Sequence, residues 1–87
     1  MKKKVMLKFN SYQKRILHES DYWWLTCERV GQSLNELSKK SGFSNYWTKK
    51  QLDDLVQKNI LMIFPYGKRY RYAYTKEFKE ILEELRM

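Results

Sequence analysis

From Phe9 onward the apolar residues recur at the three- and four-residue intervals of a helix face: Phe9, Tyr12, Ile16, then Trp23, Cys27 and Val30. Asn10 with Gln13 three residues on resembles a capping box, so a first helix is expected from Asn10 to about Arg29, closed by Gly31. Ser20 and Asp21 interrupt the stripe, and a break into two shorter helices is the alternative. Trp23 and Trp24 stand about 100° apart on a helix, so one faces the core and the other is free for a partner.

Ser33 followed by Glu36 is a second capping box and opens a short helix from Leu34 to Ser41, with Leu34 and Leu37 inward. Gly42 ends it, since glycine turns a chain at positive φ without steric cost. Phe43 packs in the turn. Ser44 is a good N-cap for a third helix over 44–59, and Asn59 tolerates the left-handed conformation that closes helices. On that helix Thr48, Leu52, Leu55 and Val56 share one side; Tyr46, Trp47, Lys50, Asp53, Asp54 and Gln57 share the other. Two short helices joined by a glycine turn form a helix-turn-helix.

Beyond Asn59 the period becomes strand-like. Ile60 to Phe64 is β-prone and ends in the turn sequence Pro65-Tyr66-Gly67-Lys68. Arg69 to Thr75 alternates strictly, with tyrosines 70, 72 and 74 on one face and Arg69 and Arg71 on the other. A hairpin with a cationic tip follows. Thr75 caps a last helix whose stripe is Phe78, Ile81, Leu82 and Leu85. The expected class is α+β, mainly α: a basic arm over 1–9, then one domain over 10–87.

Charge sharpens this picture. Eighteen Lys and Arg against ten Asp and Glu give +8, while 43% hydrophobic residues suffice for a core, so the charge does not signal disorder. Between Lys39 and Arg71 eight basic residues face two acidic ones; the final helix, 76–87, has three basic and four acidic. A basic face opposite a nearly neutral one points to nucleic acid before an anionic membrane. Cys27 stands alone, which excludes an internal disulfide and suggests a reducing, intracellular location. The apolar stretch after the first lysines is too short for a signal peptide, and no run can span a bilayer. His18, the single histidine, has no partner at ligand spacing, so no metal or cofactor is expected. No catalytic triad, phosphate loop or dinucleotide fingerprint is present, and no enzyme is expected.

From Ser33 to Thr75 the chain resembles winged helix-turn-helix transcription regulators of the multiple-antibiotic-resistance regulator (MarR) type and their archaeal and viral relatives. The residues carrying the likeness are Leu34-x-x-Leu37-Ser38-x-x-Ser41-Gly42-Phe43-Ser44, leucines at 52 and 55, Lys58-Asn59-Ile60-Leu61, and the hairpin ending in Thr75. Thr48 departs from the Val or Ile usual there.

The resemblance implies a recognition helix, 44–59, in the major groove, whose width of about 12 Å admits a helix. Tyr46, Trp47 and Lys50 would aim at base edges, Asn45 and Lys49 would flank them, and the first turn behind Ser44 would hold a phosphate. It makes the hairpin tip, 65–71, a wing, with Lys68, Arg69 and Arg71 on the backbone or in the minor groove, and Lys39 and Lys40 supporting on phosphates. The expected function is a sequence-specific double-stranded DNA-binding regulator. It would be a homodimer through the apolar stripes of its first and last helices, on a palindrome with half-sites about 34 Å apart. Two alternatives are a protein-interaction module anchored on its aromatics, and RNA or single-strand binding through the hairpin tyrosines.

Overall fold

A computed structural model describes residues 7–20, Leu25 and 30–86. The expectations for the first six residues of the arm and for Trp23, Trp24 and Cys27 concern residues outside these. Among the described residues the chain forms four helices and one antiparallel two-stranded sheet: α1 (Ser11–Glu19), α2 (Leu34–Ser41), α3 (Asn45–Gln57), β1 (Leu61–Tyr66), β2 (Arg69–Tyr74) and α4 (Lys76–Arg86). The class is α+β, mainly helical, and the order is compatible with a winged-helix layout.

Local chemistry sets the helix ends. Asn10 closes a complete capping box: its side chain accepts from the Gln13 N–H at 2.8 Å, and Gln13 Oε1 accepts from the Asn10 N–H at 3.2 Å. The first helix does not run to Arg29. It stops at Ser20, whose N–H bonds the Ile16 carbonyl and whose hydroxyl donates to the Leu17 carbonyl, so the side chain competes with helical continuation. At Ser33 the box is half made. The hydroxyl accepts from the Glu36 N–H, but the Glu36 carboxylate takes the Ser33 hydroxyl instead of the backbone and pairs with Arg71 at 3.6 Å. Ser44 caps α3 by accepting from the Trp47 N–H, and Asn59 adopts φ 61° beyond its end. Thr75 caps α4, accepting from the Phe78 N–H at 3.1 Å while its hydroxyl donates to the Asn59 carbonyl.

The core gathers Ile16, Leu25, Leu37, Leu52, Leu55, Ile60, Leu61, Tyr72, Tyr74 and Phe78. Thr48 is fully buried with the leucines of α3, as its spacing requires, and Val56 is half-buried. The hairpin pairs Leu61 with Tyr74 through Tyr66 with Arg69, so β1 continues through Pro65 and the turn is only Gly67-Lys68. Tyr72 and Tyr74 are core residues. One further pairing has no signature in local periodicity: Gln32, fully buried, exchanges both backbone hydrogen bonds with Tyr72, at 2.9 and 2.8 Å.

A polar lattice locks α1 to α3. Asn10 Nδ2 donates to Gln51 Oε1 at 2.9 Å, and Gln13 Nε2 donates to Asp54 Oδ2. Lys58 Nζ reaches the same Asp54 oxygen at 2.7 Å and the Lys8 carbonyl at 2.6 Å. Buried Gln13 and Gln51 therefore have partners, and α3 is held along its length.

Candidate nucleic-acid interface

Because Thr48, Leu52 and Leu55 anchor one side of α3, its first two turns present the opposite side outward. Asn45, Tyr46, Lys49 and Lys50 are exposed, Tyr46 at 71%. The Lys50 ammonium lies 5.0 Å from the centroid of the Tyr46 ring. Asn45 Nδ2 donates to Asn35 Oδ1 at 2.7 Å, which fixes the start of α3 against α2. Lys49 pairs with Asp53 one turn later at 3.2 Å. The Asp53 carboxylate, by hydrogen bond first and by charge second, raises the Lys49 pKa above the usual lysine value. Lys49 thus stays charged, and part of its field is spent on its own helix.

Trp47 is half-buried rather than free. Tyr12 lies edge-on to it at 5.1 Å and to Phe43 at 5.5 Å, while the Arg15 guanidinium sits 5.5 Å from the Phe43 ring centroid. Tyr12 is 43% exposed and belongs to this surface cluster, not to the core where its spacing placed it. Tyr12 and Arg15 are therefore neighbours of the α3 start that the linear pattern did not single out; periodicity on α1 gives no sign of a contact 35 residues away.

A groove of about 570 Å³ runs between the start of α2, the side of α3 and the hairpin. Lys49, Lys68 and Arg69 line it with Ser33, Asn35, Leu34, Ile63, Tyr70 and Tyr72. Cations from the helix and the hairpin tip thus share one channel with an apolar floor. Tyr70, 63% exposed, and Ile63, 45% exposed, give the channel its accessible apolar surface; Ile63 is the one that neither charge nor the tyrosine alternation singled out.

Other expected site residues lie apart from the channel. Arg71 donates to the Val30 carbonyl at 3.1 Å, pairs with Glu36 and stacks on Tyr66 with its guanidinium carbon 4.3 Å from the ring centroid. It is a strut that ties the hairpin to the segment before α2. Lys39 and Lys40 are exposed in the last turn of α2, and Lys40 donates to Gln32 Oε1 at 3.1 Å. Neither lines the groove. Ser44 is occupied in capping.

Among the described residues no helix is long and apolar enough to cross a membrane, and no group of three or more His, Cys, Asp or Glu side chains is placed to hold a metal ion. Comparison of the chain with protein-family models, with curated proteins and with solved structures finds no match.

Proposed function

We propose that this chain is a winged helix-turn-helix protein that binds double-stranded DNA with sequence preference, as a small dimeric transcription regulator. The observation that carries the reading is the attitude of α3: its apolar side is sunk in the core, while Tyr46 and Lys50 stand clear of the domain's own atoms. A helix so mounted fits a groove about 12 Å wide. Lys49, Lys68 and Arg69 line the adjoining channel, where their charge favours a phosphate backbone, and Arg69 at the hairpin tip suits a narrow minor groove. Arg71 acts through the set of the hairpin. Lys39 and Lys40 add long-range field. Half-buried Leu17 and Leu82, with the half-exposed side of α4, support a homodimer through α1 and α4.

The test is selection of bound duplexes from a random pool, followed by a salt titration on the enriched duplex. Enrichment of a two-fold symmetric motif is expected, with log affinity falling against log salt at about 0.9 per phosphate contacted. No enrichment, or an affinity indifferent to salt, refutes the reading. Tyr70 favours a second reading, in which the exposed ring stacks on single strands. Competition between duplex and single-stranded DNA separates the two.

A further inference from the structure

The outer face of α3 holds one contact that the fold does not need. Tyr46 and Lys50 touch each other and contribute nothing to the core, whereas the neighbouring Asn45, Trp47 and Lys49 are each engaged with Asn35, Tyr12 or Asp53. Attraction between the ammonium and the ring biases both side chains toward one arrangement before any ligand arrives. The pair therefore meets a partner as a unit, an apolar ring beside a cationic donor 5.0 Å away.

That spacing and chemistry restrict what the unit can read. Successive bases on a strand are about 3.4 Å apart, so a 5.0 Å pair spans neighbouring positions and no more. In the major groove guanine offers two acceptors, O6 and N7, to a lysine, and thymine alone among the four bases offers a methyl group to an apolar surface. We propose, resting on the reading that α3 enters the major groove, that Tyr46 and Lys50 together read a thymine next to a guanine. The ring covers the thymine C5 methyl while the ammonium donates to guanine O6 and N7. The ring also competes with phosphates for the ammonium, which keeps the lysine at the base edge.

The experiment uses the full chain and the duplex enriched by selection. Each thymine is replaced singly by deoxyuridine, which lacks only the methyl, and each guanine by 7-deazaguanine, which lacks the N7 acceptor. One thymine per half-site should show about a three- to fivefold loss on demethylation, the size of one buried methyl. The guanine beside it should show about a fivefold loss or more. Tyr46→Ala should erase the deoxyuridine effect and Tyr46→Phe should keep it; Lys50→Met should erase the 7-deazaguanine effect. Both side chains lie outside the core, so thermal melting of each variant should match the parent. If no thymine is sensitive, or if the deoxyuridine loss persists in Tyr46→Ala, the pair assignment falls while duplex binding stands. If no duplex is enriched at all, the assignment falls together with the reading beneath it.

Discussion

Replacing Gly31 by alanine should destabilise this protein more than the same replacement at Gly42 or Gly67. Gly31 has φ +57°, and a Cβ there would lie 2.5 Å from the Tyr72 carbonyl oxygen and 2.9 Å from Phe64 Cζ. Left-handed backbone costs an L-residue about 1–2 kcal/mol. The steric part is harder to relieve, because the Tyr72 oxygen is backbone and already accepts from the Gln32 N–H at 2.9 Å. Moving it strains both hydrogen bonds of the Gln32–Tyr72 bridge, each worth about 0.5–1.5 kcal/mol. The total, about 2–5 kcal/mol, is a large share of the about 4–13 kcal/mol expected for a domain of this length.

Gly42→Ala is the control: φ is +81°, but the nearest atom is an arginine nitrogen at 3.8 Å, so only the backbone cost of about 1–2 kcal/mol applies. Urea unfolding followed by far-ultraviolet circular dichroism compares the midpoints at equal m. A Gly31→Ala protein within about 0.5 kcal/mol of Gly42→Ala would refute the steric account of the bridge.

Four further outcomes follow from other residues. Thr48→Val should raise stability by about 1 kcal/mol in the same urea assay, since the Thr48 hydroxyl is buried without a hydrogen-bond partner among the described residues. Arg69→Ala should weaken binding to all duplexes alike and leave the melting temperature unchanged. Arg71→Ala should lower the melting temperature, because it leaves the Val30 carbonyl and the Glu36 carboxylate without their cation. Lys58 first, and Gln13 second, donate to Asp54 and hold its pKa below the ordinary 3.8. A group whose pKa is depressed on folding stabilises above its unfolded value, and that stabilisation drains away as pH falls through the folded value. Urea midpoints should therefore drop below about pH 4, and Asp54→Asn should flatten that limb.

Local chemistry made much of this architecture legible. Asn10, Ser33, Ser44 and Thr75 cap helices where their hydroxyl or amide groups predicted, and Leu52 and Leu55 are buried where period 3.6 put them. What escaped was non-local. Gln32 finds Tyr72 forty residues away, and Arg71 is drawn from the hairpin surface by the Val30 carbonyl. The same limit applies to the outer face of α3. Tyr46 and Lys50 are exposed as helical spacing requires, but the covering of Trp47 depends on Tyr12, which lies on another helix.

Among the described residues, the short reach of the Gln32–Tyr72 bridge leaves most of the ribbon's two flanks without a neighbouring strand. Open flanks invite another molecule to add itself and begin a stack. Here β1 carries Pro65, which has no N–H to offer an incoming strand, and β2 carries exposed Arg69 where a second copy would have to bring matching charge alongside. Arg69, exposed at the end of the ribbon, therefore also guards this small domain against self-templated aggregation, and neutralising it should lower solubility.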